Sequence, residues 1–418
     1  MKKYQAIIIG GGSAGLSAAV TLKKNGVEDI LVIEKDEEPG GILEQCIHNG
    51  FGLQTFKEQL SGPAYAERYV RMAEEYGVNI LLNTMVTKLT ADRVIEYVNA
   101  EEGTVQVQAD AVILAVGCYE RPRGGINITG TRPAGIYTAG QAQRYLNIDG
   151  YMVGKRVMIL GSGDIGLIMA RRMTLEGAEV IGVAELMPYS NGLPRNIKQC
   201  LEDFNIPLYL SHTITEVFGT DRLEKVEMME VDEKSNPIPG TEHYFDVDTL
   251  LLSVGLIPEN HLADQAGIQM DPSTKGPVVD DRYMTSAEGI FACGNGLHVH
   301  DLVDYVSLQA EKSAEGAVSY LQNGMPQGNA LRIQNGNQVS YCVPSKFYPQ
   351  TPVEKLTVYF RVRKPLKNAT IIIRSGDKII RTMKKRMLIP SVMEEALLLK
   401  KDMSGLTEPI TIEIAEEK

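Results

Sequence analysis

Cysteine is scarce and scattered: Cys46, Cys118, Cys200, Cys293 and Cys342 are the only five in 418 residues, and no two form a close pair such as C-x-x-C. This spacing excludes a local zinc or iron–sulfur ligand set. An odd, dispersed count also fits a reducing compartment better than a disulfide framework. No uninterrupted apolar run reaches the ~20 residues that a membrane-spanning helix needs, and a cytoplasmic location is the expectation. Positive charge is in short supply, with 42 Lys and Arg against 53 Asp and Glu, a net charge of −11. That balance argues against non-specific nucleic-acid binding. The remaining composition, 44% hydrophobic and 23% charged, is that of an ordinary globular chain long enough for two or three domains.

What is present in quantity is glycine, and it is placed in a pattern. Ala6-Ile7-Ile8-Ile9 is a short apolar run of the kind buried on both faces of a parallel sheet. Gly10, Gly12 and Gly15 follow at G-x-G-x-x-G spacing, and a helix is predicted over residues 13–25. The first glycine permits a tight turn, the second lets a pyrophosphate reach the backbone, and the third lets the helix pack on the strand. The helix N-terminus offers unpaired N–H groups to the phosphates. A second strand over residues 30–33 ends in Glu34, placed to accept hydrogen bonds from a ribose. Met-Lys-Lys before an apolar run superficially resembles a signal peptide, but the run is this strand and helix, so removing it would destroy the domain.

The pattern then repeats. Residues 157–160 are an apolar strand, Gly161, Gly163 and Gly166 restore G-x-G-x-x-G, a helix is predicted over 164–176, and the strand 180–184 ends in Glu185. Gly10 to Glu34 and Gly161 to Glu185 are both 24 positions, so two dinucleotide sites are expected. Between the repeats come a glycine-rich loop (residues 39–52, with Cys46 and His48), a helix over 61–76, strands at 78–82 and 85–89, a hairpin at 94–98 and 105–107, and a buried strand at 111–116 closing on Gly117. A strand at 249–254 closes on Gly255 in the same way. Strands are expected at 277–279 and at 289–295, the latter ending at a turn, followed by a helix capped by Asp301 and running to about 321.

From about residue 336 the alternation is that of half-buried antiparallel strands, at 339–342, 355–362, 369–374, 378–382 and 410–414. Residues 340–390 hold twelve Lys or Arg and only Glu354 and Asp377 as acids, whereas residues 391–418 come to −4 and residues 1–339 to −17. The basic stretch is either a solvated face or a docking surface for an acidic partner or a second copy. The fold class read from the whole is α/β: two Rossmann-like domains, the second inserted in the first, plus a small C-terminal β-rich domain. The expected boundaries are 1–117 with 269–335, 118–268, and 336–418.

Two such motifs, one nested in the other, with a late Gly-Ile-Phe-Ala-Cys-Gly-Asn strand at residues 289–295, resemble the pyridine-nucleotide-disulfide oxidoreductase superfamily of glutathione and thioredoxin reductases. The resemblance covers about residues 1–330. It implies FAD contacts from Gly10, Gly12, Ser13, Ala14, Gly15, Glu34 and Lys35, from Gly40, Gly41 and Ile42, from Val86, Ala115, Val116 and Gly117, and from Gly294, Asn295, Asp301, Leu302 and Val303. It implies NAD(H) contacts from Gly161, Gly163, Asp164, Ile165, Gly166, Glu185 and Gly255. Two departures stand out. The family's late Phe-Ala-x-Gly-Asp ends here in Asn295, and the redox-active cysteine pair is missing, since Cys46 has only His48 nearby and Cys200 has no near partner. Stretches 39–52, 132–140 and 297–303 look like the disulfide-lacking FAD-dependent oxidoreductases found with bacterial glycerol-3-phosphate dehydrogenases. More distantly they resemble subunits of hydrogen cyanide synthase, opine oxidase, sarcosine oxidase and dye-linked proline dehydrogenase.

This resemblance implies hydride transfer from nicotinamide to flavin and electron delivery to an acceptor, with a partner dehydrogenase or oxidase subunit or a homo-oligomer expected. Glu185 favours NADH over NADPH because a carboxylate repels a 2′-phosphate. Cys46, His48, His298 and His300 are the candidates for direct participation, as nucleophile or as hydrogen bonders to flavin or substrate. The bland alternatives are a pocket-lining thiol and ordinary loop histidines. No third ligand accompanies His298 and His300, so no metal is expected. Two other readings stand beside the leading one: a direct oxidase or dehydrogenase of a small amine or hydroxy acid, anchored by Arg121, Arg123 or Arg132, and a non-catalytic flavin-carrying assembly subunit.

Overall fold

A computed structural model describes residues 1–416. Its backbone divides into two compact units, residues 1–118 with 258–418 and residues 119–257.

The first unit is built on a sheet in the order Asn79–Leu81, Ile30–Ile33, Lys2–Ile9, Gly103–Leu114, Val94–Asn99, Met85–Leu89, with Ile290–Ala292 also joined to Gly103–Leu114. Lys2–Ile9 lies parallel to both neighbours, with Ile7 opposite Leu31 on one side and Val112 on the other. Successive side chains face opposite ways, so Ala6 and Ile8 enter one core while Ile7 and Ile9 enter another. The Ala6 and Ile8 side meets helices Ser13–Lys24 and Val303–Asn323 through Ala14, Ala18, Ala310, Ala314 and Ala317, small residues that let the helices approach closely.

Several expectations need correction here. Residues 105–107 and 111–116 belong largely to one strand, Gly103–Leu114, whose first half pairs antiparallel with Val94–Asn99 and whose second half pairs parallel with Ile290–Ala292. Residues 277–279 form no strand, only an isolated bridge from Pro277 to Met270. Residues 258–268, grouped with the second fold in the sequence reading, pack here: Ala263, Ala266 and Ile268 share a core with Ile7, Ile9 and Leu31.

The C-terminal residues of this unit form a five-stranded sheet and a three-stranded sheet around one core that includes Phe347, Phe360, Ile371, Ile373, Ile412 and Ile414. Strands Leu331–Asn335 and Glu394–Leu399 belong to these sheets and have no counterpart in the sequence reading.

The second unit carries a five-stranded parallel sheet, ordered Ile136–Thr138, Thr249–Leu252, Arg156–Leu160, Glu179–Glu185, Leu208–Leu210. Helix Asp164–Leu175 follows the central strand, and a separate four-stranded sheet includes the hairpin His212–Gly219 and Leu223–Glu230.

Candidate functional site

The three glycines of the first motif are required for different reasons. Gly10 has φ +105°, and a Cβ there would stand 2.4 Å from the Ala115 carbonyl oxygen. A Cβ on Gly15 would stand 1.8 Å from the Gly10 carbonyl oxygen. Gly12 is crowded by nothing: φ is −76°, and the nearest atoms to its Cβ position are the Gly40 oxygen at 3.9 Å and the Gly41 Cα at 4.0 Å. The second motif repeats this. Gly161 and Gly166 would meet Ser253 and Gly161 carbonyl oxygens at 2.1 and 2.6 Å, while the nearest atom to Gly163 is Ser253 Oγ at 3.4 Å. Neither the backbone nor a close neighbour asks for glycine at 12 or 163, which leaves room there for a ligand to approach. Helices Ser13–Lys24 and Asp164–Leu175 both begin without a side chain from their own N-cap residue, although in the second the first-turn N–H of Gly166 donates to Ser253 Oγ at 3.1 Å.

The first site gathers segments far apart in sequence. Gly40 N–H donates to the Gly11 carbonyl at 2.9 Å, laying Gly40 and Gly41 on the glycine turn. A Cβ on Gly294 would come within 3.0 Å of Ala14 Cβ, and one on Gly296 within 3.0 Å of Val116 Cγ2. Glu34 is buried; its Oε2 accepts from Gly11 N–H at 2.5 Å and its Oε1 from Asp36 N–H at 2.9 Å. Ser13 opens the helix, Lys35 and Ile42 are exposed, Gly117 takes φ +71°, and the Val86 side chain belongs to the core. Asn295 Oδ1 accepts from His300 N–H at 3.0 Å while its Nδ2 faces Cys118 Sγ at 3.6 Å. The amide thus both accepts and donates there, where an ionised aspartate would only accept.

Asp301 is a correction. Helix Val303–Asn323 is preceded by Leu302 with no side-chain cap. Asp301 instead ion-pairs with Arg361 of the C-terminal strands, and its Oδ2 accepts from Met393 N–H at 2.7 Å. The same Arg361 donates to the Val299 and Ser391 carbonyls, fixing residues 299–301 from outside. Asp304, unremarked in the sequence, is buried and accepts from the N–H groups of Gly52, Gln54 and Thr55 at 2.8–3.0 Å. The available signal was an acid in a helix's first turn.

His298 and His300 form a buried pair with ring centroids 4.3 Å apart, against Tyr359. Gln309 sets their tautomers. Its Oε1 accepts from Gly294 N–H at 2.9 Å and from His300 Nε2 at 3.0 Å, so its Nε2 donates to His298 Nε2 at 2.7 Å. His300 Nδ1 is thereby an acceptor and His298 Nδ1 a donor; both are buried without a partner among the described residues. Burial holds both imidazoles neutral, with His300 lowered to about 4 and His298 held well below its ordinary value. His48 lies against Phe51, with ring centroids 5.0 Å apart and planes tilted by 52°. The Cys46 thiol donates to the Ile42 carbonyl at 3.3 Å, and burial pushes it up to about 12, so it is no ready nucleophile.

In the second unit Asp164 begins the helix, Ile165 packs against the core, and Gly255 takes φ +102°. Glu185 is buried at the end of its strand. Arg123 donates to the carbonyls of Thr131 and Thr129, which takes it out of the candidates for substrate anchoring, whereas Arg121 and Arg132 are exposed.

Residues 4–317 match the model of the family described as pyridine nucleotide-disulphide oxidoreductase. The chain belongs to this family. FAD and NAD(P) are the cofactors expected of it, and the open Cβ positions at Gly12 and Gly163 fit two such ligands. The chain is 27% identical over 350 residues to the glutamate synthase [NADPH] small chain of Escherichia coli (strain K12), covering 75% of this chain and 68% of that protein. It is 24% identical to the hydrogen cyanide synthase subunit HcnB of Pseudomonas protegens (77% and 70% covered). It is 27% identical to an NADH oxidase of Methanocaldococcus jannaschii (82% and 72% covered). Thioredoxin reductase of T. acidophilum shares the fold, with a TM-score of 0.62 and 24% identity over 76% of this chain and 99% of that one. No helix among the described residues is long and apolar enough to cross a membrane.

Proposed function

We propose that this chain is an FAD-dependent NADH:acceptor oxidoreductase working as the electron-transfer component beside a partner subunit. Residues 1–118 with 258–330 hold FAD, residues 119–257 hold NAD(H), and the C-terminal strands fix the segment that leads into helix Val303–Asn323. The observation that carries the reading is the pair of glycines, Gly12 and Gly163, that leave room for a ligand to approach. When bound, the flavin itself supplies the two-electron chemistry, so the chain's tasks are placement and shielding. The first glycine turn with Gly40 and Gly41 would hold the diphosphate, Glu34 would accept from the ribose, and the uncapped N-terminus at Leu302 and Val303 would offer N–H groups to the cofactor.

A dithiol cycle does not fit. Among the described residues no disulfide joins any of the five cysteines, and burial pushes the thiols of Cys46, Cys200 and Cys293 up to about 12, 11 and 12. Two relatives named as a small chain and a subunit support a partner. The narrower likeness to oxidoreductases found with glycerol-3-phosphate dehydrogenases rests on the three sequence stretches alone. Glu185 supports NADH over NADPH. Anaerobic stopped-flow absorbance at the flavin band, with NADH and NADPH in parallel, tests the reading. Bleaching by NADH, slower with NADPH, is expected; FAD-loaded protein that neither nucleotide bleaches would overturn it.

A further inference from the structure

The two motif carboxylates stand at equivalent positions yet hold different numbers of partners. Glu34 accepts two hydrogen bonds, from Gly11 N–H and Asp36 N–H. Glu185 accepts the equivalent two, from Ser162 N–H and Met187 N–H, both at 2.9 Å. It also accepts from Ser162 Oγ at 2.5 Å and Asn191 Nδ2 at 3.2 Å. A carboxylate offers about four acceptor directions. Glu34 therefore keeps two for a ribose, whereas Glu185 is filled by its own chain.

The cause is one substitution within the motif and one segment laid across it. Where the first motif has Gly11, the second has Ser162, fully buried. Asn191 N–H donates back to Ser162 Oγ at 3.1 Å, and Leu193 N–H and Asn196 Nδ2 donate to Asp164 Oδ1 at 2.8 and 2.7 Å. The segment lies so close that a Cβ on Gly192 would stand 2.3 Å from Leu167 Cδ1 and 2.9 Å from the Ser162 carbonyl oxygen.

We propose that Ser162 and Asn191 determine the nucleotide specificity of the second site by competing with a ribose diol for Glu185. The proposal rests on the reading of residues 119–257 as the NAD(H) fold. A nucleotide whose adenosine ribose carries both hydroxyls must displace the Ser162 hydroxyl and the Asn191 amide before Glu185 can accept from it. The exchange trades bonds already made for new ones and holds affinity down. Removing the two internal donors leaves a buried carboxylate short of partners, which a diol then satisfies.

The test compares FAD-loaded wild-type protein with Ser162→Gly, Asn191→Ala and the double variant, by calorimetric titration with NAD+ and by thermal melting with and without it. Ser162→Gly recreates the first motif's residue. Each variant is expected to melt lower alone, to gain more from NAD+ than wild type, and to bind it more tightly, by about tenfold in the double variant. NAD+ lacking the adenosine 2′-hydroxyl should show a smaller gain. Folded variants that bind NAD+ no better than wild type, or gain equally with the deoxy ligand, would overturn the competition while leaving the NAD(H) reading intact. No binding by any form would overturn that reading and the proposal with it.

Discussion

Gly12→Ala and Gly15→Ala separate a glycine that the ligand needs from one that the fold needs. At Gly12 the backbone is extended, with φ −76° and ψ −171°, and an added methyl meets only ordinary contacts at 3.9 and 4.0 Å. In flavin-free protein this substitution should be neutral or stabilise by up to about 1 kcal/mol, because alanine has less unfolded-state freedom to lose. At Gly15 the methyl would sit 1.8 Å from the Gly10 carbonyl oxygen, 2.9 Å from its carbon and 3.3 Å from Ile8 Cγ2. The helix must move off the strand, at a cost of about 3 kcal/mol or more. Affinity for FAD reverses the emphasis. The Gly12 methyl occupies the space through which a diphosphate reaches the backbone, and losing hydrogen bonds to a charged group at about 1.5–3 kcal/mol each predicts at least roughly a 100-fold weaker complex. Urea unfolding of deflavinated protein measures the first quantity and flavin fluorescence titration the second. A Gly12→Ala protein that binds FAD like wild type would refute the argument, as would one destabilised without flavin as much as Gly15→Ala.

Three further outcomes follow from the geometry. With its thiol near 12, Cys46 should alkylate slowly at pH 8 and faster only as pH approaches that value, and Cys46→Ala should keep flavin reduction by NADH; rapid labelling at pH 8 would contradict this. His300, lowered from 6.5 to about 4, is protonated more readily in the unfolded chain. Its contribution, about 3 kcal/mol, is therefore complete above pH 6.5 and lost as pH falls toward 4. Urea midpoints should drop over that window in wild type and drop less in His300→Gln. Arg361→Met strands the half-buried Asp301 carboxylate and should cost about 3 kcal/mol in denaturant unfolding. Adding Asp301→Asn should return part of that loss, and strict additivity in the double-mutant cycle would deny the coupling.

Both glycine motifs were legible because every determinant lies within a few dozen consecutive residues: strand, turn, helix and carboxylate. Where the deciding partner is distant, the same local signals misled. Asp301 before a helix reads as a cap, and only Arg361, sixty residues on, makes it an ion-pair member. Asp304 carries no local sign that it will hold backbone at 52–55. Residues 103–114 looked like two strands because the buried half is continuously apolar and the outer half alternates. That change of pattern records a change of neighbours along one strand, which a single-strand template does not anticipate. Glu394–Leu399 was missed because its opening acids hide the alternation that buries Glu394, Ala396 and Leu398.

The two motifs also show what such a pattern encodes and what it leaves open. Gly10 with Gly15, and Gly161 with Gly166, touch only their own protein, so their spacing specifies a strand and helix packed at close range. Gly12 and Gly163 leave room for a ligand to come near. Neither set says how readily it is admitted. That falls to a position the pattern writes as x, occupied by Gly11 in one motif and Ser162 in the other, and to a segment that begins beyond the second carboxylate. A hydroxyl at that position turns an open carboxylate into a satisfied one without disturbing any glycine. Two sites indistinguishable by motif can therefore differ in affinity, and the difference lies in the hydrogen-bond inventory of a single glutamate.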